Sequence, residues 1–213
     1  MEEINDEQVK ERVPDGMHPS IFCFLATILF SPVTPAQAPA EVPVVKITPE
    51  DSSIKFGVKA SVSIDGTFNK WDATLTFTST DPTTGVLDVK IQADSVNTGS
   101  GFKNDKLKGK DFFDVEKDPY ITFKSTKVIP SGPNAFEVDG NFTIRGVTRA
   151  EKLILTVSGA GTGLGTIVGT MAFDRKEYGM NSGIPFIRIA DRVEVSVDLK
   201  VKRVSGPALN FKR

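Results

Sequence analysis

The stretch that decides the fold is residues 102–126, FKNDKLKGKDFFDVEKDPYITFKST. Pro119 disfavours helical geometry at the residue before it, so the sequence predicts a short helix over 107–115 that ends just before the Asp-Pro pair. After the proline, residues 120–126 alternate apolar and polar side chains with the period of two that is typical of a half-buried β-strand. A helix that ends in a Phe pair and leads into a strand brings two apolar rings to the end of a β-structure. We therefore predict that Phe112 and Phe113 lie at its mouth.

The same period of two continues through most of the chain after residue 50. Turn residues such as Asp65-Gly66, Asp81-Pro82 and the glycine-rich residues 158–165 separate the alternating segments. This pattern predicts an all-β antiparallel fold of about eight strands with one short helix, either a sandwich or a closed barrel. Apart from residues 120–126, the predicted strand segments are 54–58, 75–77, 87–91, 136–138, 142–144, 153–157, 167–173 and 193–201.

Five short motifs occur in the order that is found in one bacterial family. Besides the stretch quoted above, they are Gly66-x-Phe68-x-x-Trp71, Ser95-Val96-Asn97-Thr98-Gly99, Thr143-Ile144-Arg145-Gly146-Val147-Thr148 and Arg175-Lys176-Glu177-Tyr178-Gly179. On these motifs, residues 53–203 resemble the YceI-like family, the polyisoprenoid-binding barrels of bacteria. The resemblance implies an antiparallel lipocalin-like β-barrel, and about eight strands leave room inside for one elongated small ligand.

One motif departs from the family pattern. Members of the family often carry Arg-Asp-x-His-Leu before the Phe pair, whereas this chain has Lys103-Asn104-Asp105-Lys106-Leu107. A role that the family gives to that histidine therefore cannot be assigned to this chain.

The first 40 residues predict an export leader. An apolar run at 21–30 precedes small residues at Ala36, Ala38 and Ala40, which is the pattern of a secretory signal peptide. The run is about half the length that a membrane-spanning helix needs. We expect a mature protein that starts near Glu41, is periplasmic or secreted, and has no stable membrane span after signal cleavage. Translation could start at Met1 or Met17.

The rest of the chain is predicted to hold one domain. We expect a linker or an edge strand over 41–52, the YceI-like barrel domain over 53–204, and a loose tail over 205–213. About 170 residues are enough for one domain to bury most of its apolar surface. The sequence leaves a monomer or a homodimer open.

The composition excludes several classes of function. The single cysteine and the single histidine, Cys23 and His18, both fall within the predicted leader. The mature chain therefore lacks the residues for Ser-His-Asp or Cys-His catalysis and for most zinc sites. Removing residues 1–40 takes away six of the 27 acidic and two of the 26 basic residues and leaves a formal charge near +3, which is no nucleic-acid signature. We predict a protein that is not an enzyme and holds no metal and no cofactor.

The family resemblance implies a polyisoprenoid or isoprenoid-quinone-type lipid as the ligand, held in the barrel for transport, storage or stress response. Fifteen phenylalanines in the chain are consistent with an apolar interior. At about 0.8 kcal/mol per buried CH2 group, each five-carbon unit contributes roughly 3 to 4 kcal/mol without any polar recognition. The predicted lining residues, with the Phe pair closing one end, are Phe56, Phe68, Leu75, Phe77, Val89, Phe112, Phe113, Phe123, Phe142, Leu155 and Phe173.

A smaller set of polar residues is predicted to meet the lipid headgroup. These are Asn104, Lys106, Arg145, Arg175 and Tyr178. Arg145 has a second interpretation as a structural clasp at a turn, because it lies between two strand segments.

Two alternatives stay open. A barrel of the same fold could be filled by its own side chains and serve a structural or stress role without a ligand. A hydrolase could use carboxylates alone, with Asp111 and Asp114 as the acid/base pair. A solvated, partly helix-capping face is the favoured interpretation of those carboxylates, and the glycines between 159 and 165 indicate a hairpin rather than a phosphate site.

Overall fold

The computed structural model describes residues 41–61, 63–159, 161–183 and 188–211. The predicted leader, residues 1–40, lies outside the described residues. In the described ranges one α-helix, α1 (Gly101–Lys108), accompanies ten strands. The strands are β1 (Val44–Ala60), β2 (Ile64–Phe68), β3 (Trp71–Thr76), β4 (Val86–Gln92), β5 (Val96–Asn97), β6 (Tyr120–Gly132), β7 (Ala135–Ile144), β8 (Val147–Ser158), β9 (Leu164–Asp174) and β10 (Ile189–Ser205).

The ten described strands form one antiparallel sheet in the order β3-β4-β6-β7-β8-β9-β10-β1-β2-β5. β2 and β3 lie near opposite ends of this order, yet Asn69 and Lys70 alone connect them, so the sheet must curl back on itself. Backbone hydrogen bonds from Asn69 N to Ser95 O and from Gln92 N to Lys70 O hold the two ends together. The predicted antiparallel, lipocalin-like β fold with one short helix is confirmed.

The strand count differs from the prediction for a local reason. The two strands that the alternation missed are β2, which has five residues, and β5, which has two. β5 is too short to show a period of two. β2 does alternate between buried and less buried residues, but the predicted turn at Asp65-Gly66 was wrong, because these two residues lie inside the strand. Conversely, the predicted segments 136–138 and 142–144 belong to one strand, β7, which continues through Gly140.

The position of the helix was predicted wrongly. α1 ends at Lys108, and Gly109 adopts an extended conformation (φ −65°, ψ 166°) while its N–H bonds the carbonyls of Asp105 and Lys106. Residues 109–117 are turns instead of a helix, with Asp114 in the left-handed region at φ 53°. The Phe pair therefore lies on a tight turn after the helix, although the strand after Pro119 begins at Tyr120 as predicted.

The two ends of the described chain join the barrel. Residues 44–48, part of the predicted linker or edge strand, pair with β10 from Val44 with Ser205 to Thr48 with Lys200, with a register shift between Val44 and Val45. The predicted tail is not loose, because Phe211 packs edge-on against Phe136 of β7 with ring centroids 6.2 Å apart. None of the helices in the described ranges has the length and apolar character needed to cross a bilayer.

Candidate functional site

The barrel interior contains two apolar cavities at opposite ends. The cavity beneath α1, called here the helix-end cavity, has a volume of about 70 Å³. The cavity at the other end, called the tail-end cavity, measures about 130 Å³. Apolar side chains dominate both linings, because the inward position of each half-buried strand carries a hydrophobic residue.

Three aromatic rings that contact one another in tilted and edge-on arrangements form much of the helix-end cavity. The ring of Phe113 lies 5.9 Å from that of Phe68 and 6.4 Å from that of Phe56. The turn after α1 directs Phe113 inward, since its backbone N–H bonds the carbonyl of Leu107 at 2.9 Å. Gly66 is required opposite these rings, because a Cβ there would overlap the ring of Phe56. The Phe pair thus closes one end of the interior, although a turn and not a helix carries it.

A belt of side chains separates the two cavities at mid-height. On β4, β6, β9 and β10, buried or half-buried side chains that line neither cavity lie between residues that line one cavity and residues that line the other, and on β8 Leu153 also lines neither. The belt consists of Val89, Phe123, Leu153, Met171 and Val197. The ring of Phe123 packs against Gly140, where a Cβ would overlap it. The interior is therefore divided between the two cavities.

The predicted lining residues are distributed over both cavities and the belt. Six line the helix-end cavity: Phe56, Phe68, Phe112, Phe113, Phe142 and Phe173. Three line the tail-end cavity: Leu75, Phe77 and Leu155. Val89 and Phe123 are buried in the belt. All eleven predicted apolar residues therefore face the interior, at different heights.

Arg145 is bonded to backbone and ties two loops together. It lies at a turn with φ 54°, and its guanidinium donates from Nη1 to the carbonyl of Gly179 and from Nη2 to that of Lys110 at 2.7 Å. Lys110 opens the turn that carries the Phe pair, so Arg145 anchors that turn to the loop after β9. This contact is the one expected of the structural clasp.

Tyr178 lies in the wall at the helix end. Its ring is fully buried between Phe142 and Phe173, with centroids 5.5 and 5.2 Å away, and its hydroxyl donates to Glu151 Oε1 at 2.7 Å. Burial and the bond to this carboxylate hold the pKa of the Tyr178 phenol far above its usual value. The hydrogen-bond ladder between β8 and β9 begins only at Ile154. Glu151 lies on β8 before this ladder, so its bond with Tyr178 links β8 to the residues that follow β9.

Two further residues that were predicted to meet a headgroup have structural partners. Arg175 borders the helix-end cavity, but its guanidinium donates to the carbonyls of Met180, Ser182 and Ala190 and pairs with Asp191. Together with Lys176, it lowers the pKa of the Asp191 carboxyl. Asn104 accepts hydrogen bonds from both the N–H and the hydroxyl of Thr98, and Lys106 is exposed on α1.

The sequence analysis missed part of the tail-end cavity. Its lining includes the C-terminal residues Ala208, Leu209 and Phe211 and the glycine-rich turn between β8 and β9. Leu209 and Phe211 alternate with polar residues, which is a signal that could have identified this segment as packed.

The carboxylates of the hydrolase alternative lie on the turn after α1. Asp111 is exposed and Asp114 half-buried. In the described ranges, no group of three or more Asp, Glu, His or Cys side chains converges in a way that could hold a metal ion.

Residues 46–201 match the family model of the YceI-like domain, which is most of the chain. The chain belongs to the YceI-like family. This match spans nearly all of the barrel, from β1 to β10, and confirms the resemblance drawn from the five motifs.

Curated relatives of this YceI-like chain match over a shorter stretch. A UPF0312 protein of Yersinia pestis is 36% identical over 96 residues, which cover 45% of this chain and 50% of the relative. One from Pseudomonas savastanoi is 34% identical over 98 residues, covering 46% of this chain and 51% of the relative. The matches thus span about half the length of these relatives.

Solved structures share the fold. BcnA of Burkholderia cenocepacia has a TM-score of 0.66 at 26% identity, covering 73% of this chain and 99% of that chain. A polyisoprenoid-binding domain from Saccharophagus degradans has a TM-score of 0.60 at 16% identity, covering 76% and 99%. The YCEI protein of Campylobacter jejuni has a TM-score of 0.54 at 23% identity, covering 68% and 85%.

Proposed function

We propose that this YceI-like protein is a non-enzymatic binding protein that holds a prenyl lipid, a polyisoprenoid or an isoprenoid quinone, inside the barrel. The observation that carries the proposal is the lining of the helix-end cavity, which is apolar except for Arg175. Because the Arg175 guanidinium is bonded to backbone carbonyls and Asp191, it offers little to a polar ligand. The polyisoprenoid-binding neighbour supports the same class of ligand.

The geometry favours a long, flexible chain over a compact ligand. Cavities of about 70 and 130 Å³ are each smaller than the roughly 300 to 1,000 Å³ typical of a drug-sized site. They lie in one interior, however, and only the belt separates them. A prenyl chain would occupy both if the belt side chains change rotamer, and Met171 is among the most adaptable side chains for such a change.

Affinity on this proposal comes from the tail of the lipid. Each five-carbon unit buried contributes about 3 to 4 kcal/mol, so a few units offset the cost of ordering the chain. The headgroup would stay near a mouth of the barrel, because Arg145 and Arg175 already bind backbone carbonyls. Lys106, exposed on α1, is the predicted headgroup residue that stands nearest to solvent at the helix end.

Lipid extraction tests the proposal directly. Protein purified from a bacterial host that makes polyprenyl lipids is extracted with organic solvent, and the extract is analysed by mass spectrometry. We expect a prenyl lipid in near-equimolar amount. Leu155→Trp fills the tail-end cavity and should reduce this amount, whereas Ile154→Trp is the matched control, because Ile154 is 43% exposed on the outside of the same strand.

The division of the interior favours a second candidate, a filled barrel with a structural or stress role. If the wild-type protein yields no prenyl lipid, and added prenols do not bind to it, the filled barrel is the better account.

We also propose that the protein is exported and acts in the periplasm or outside the cell, as carrier, store or stress protein. The leader pattern in residues 1–40 supports this. Expression of the full chain with a C-terminal tag should give a processed form that begins near Glu41 in the periplasmic fraction or the medium. An unprocessed protein in the cytoplasm would contradict export while leaving lipid binding intact.

A further inference from the structure

The C-terminal segment, residues 206–211, crosses the open end of the barrel. Gly206 reverses the chain after β10 at φ 75°, and it passes so close to Val42 that a Cβ would overlap the carbonyl of that residue. Further along, Asn210 N donates to the carbonyl of Thr80, in the connection between β3 and β4, at 2.7 Å. Phe211 then reaches Phe136 on β7. The segment thus contacts the residues before β1, the connection between β3 and β4, and strand β7.

This segment forms the end wall of the tail-end cavity. Ala208, Leu209 and Phe211 all line the cavity, and the Phe211 ring meets Phe136 edge-on at 6.2 Å. The rest of the lining comes mainly from strands held by ladder hydrogen bonds, from the connection between β3 and β4, and from the glycine-rich turn between β8 and β9. The end wall differs from these parts because it follows the last strand of the sheet and does not connect two strands.

The end wall is held weakly compared with the opposite end of the interior. In the described part of the segment, two hydrogen bonds tie it to the barrel: Asn210 N to Thr80 O, and Arg203 Nη1 to Gly206 O at 3.0 Å. At the helix end, by contrast, the turn of the Phe pair is fixed by several backbone bonds and by Arg145. A ligand too long for the interior would therefore displace the end wall at the tail end more easily than the turn of the Phe pair at the helix end.

We propose that residues 206–211 are a displaceable end wall, and that the Phe211 ring sets the longest prenyl chain that the barrel encloses without moving it. This inference rests on the proposed function. The ring occupies the position into which the far end of a longer chain would extend. A chain that stops short of Phe211 gains binding energy with each added isoprene unit, whereas a longer chain must displace the segment or leave units in water.

The test compares the affinities of prenols of 15, 20, 30 and 40 carbons for the purified protein, measured by native mass spectrometry or calorimetry. In the wild type we expect affinity to rise with length and then level off. Phe211→Ala and a chain ending at Ser205 should move this plateau to longer prenols and tighten binding of those above it by about tenfold or more. Phe211→Trp should move it to shorter ones.

The controls keep the result interpretable. Phe102→Ala makes the same chemical change at a ring that is 60% exposed on α1, and it should leave the length profile unchanged. Circular dichroism verifies that each variant is folded. A plateau at the same length in the wild type, in both Phe211 variants and in the truncated chain overturns the end-wall proposal alone. If no prenol of any length binds to any of these proteins, both the proposed function and the end-wall proposal are refuted.

Discussion

Replacing Phe113 with alanine should destabilise the barrel strongly, because this ring joins the turn after α1 to the core. Phe113 is 7% exposed, and its ring contacts those of Phe56 and Phe68. The change removes a ring from the border of an existing cavity, and the two remaining rings lose an aromatic partner. Phe102→Ala is the matched control, since that ring is 60% exposed on the neighbouring helix.

The magnitude follows from burial and from the freedom of the site to relax. Truncating a buried phenylalanine costs about 3 to 5 kcal/mol, and an aromatic pair is worth about 0.5 to 1.5 kcal/mol beyond its buried area. Phe113 borders an existing cavity, into which the neighbouring side chains can relax, so we expect the lower part of this range, about 3 kcal/mol. For a domain of this size, that loss corresponds to a Tm lower by roughly 6 to 12 °C. The control should stay within about 0.5 kcal/mol of the wild type.

Urea denaturation followed by far-ultraviolet circular dichroism measures both variants. Because Trp71 is the one tryptophan of the chain, its fluorescence gives a second probe of the same transition. If Phe113→Ala unfolds within 1 kcal/mol of the wild type by both probes, the ring does not hold the turn to the core and the reasoning is refuted. A loss of stability in Phe102→Ala as large as that in Phe113→Ala would refute it as well.

Three further predictions concern the wall of the barrel. Arg145→Lys keeps the charge but cannot reproduce the forked bonds to two carbonyls, so chemical denaturation should show a loss of about 1 to 3 kcal/mol; an unchanged midpoint would contradict the clasp. The pKa of Tyr178 is raised by burial and by Glu151, so the folded chain keeps a proton that the unfolded chain releases near pH 10, and stability should fall as the pH rises above that value. Ultraviolet titration of the folded protein should accordingly show that the Tyr178 phenol stays protonated above the pH at which the unfolded chain releases this proton, and ionisation of Tyr178 near pH 10 would disagree. Gly140→Ala places a methyl group against the Phe123 ring and should cost about 1 to 3 kcal/mol in thermal or chemical unfolding, whereas a neutral effect would show that the ring moves freely.

Much of the fold was accessible from the sequence because alternation directly encodes which side chains face inward. All eleven predicted apolar lining residues face the interior, and the strand after Pro119 begins where that proline predicts. A strand as short as β5 has too few residues to show a period of two, so the sequence analysis did not predict it. The helix was misplaced because the apolar Phe pair suggested a helical face, whereas Gly109 ends the helix before that pair is reached.

The candidate site was harder to predict, because its polar members depend on distant partners. Arg145 bonds a carbonyl 34 residues away, at Gly179, and one 35 residues away, at Lys110. No local sequence pattern predicts such contacts. From the sequence, a polar side chain near a mouth of the barrel is equally compatible with a structural role and with binding a ligand. The belt and the end wall were missed for a related reason: the height of a residue along the barrel depends on the register between strands, which the sequence of one strand does not specify.

The pairing of β1 with β10 has a consequence for how the molecule is made. These two strands, 17 residues each, stand at opposite ends of the described chain, so their ladder joins residues that are among the furthest apart in sequence. Contacts of such high sequence separation slow folding and form late. The sheet therefore cannot be completed until β10 has been synthesised, and the strands between β1 and β10 form an open sheet until then. Delayed closure of this kind is compatible with the export proposed above, in which the chain would fold after translocation.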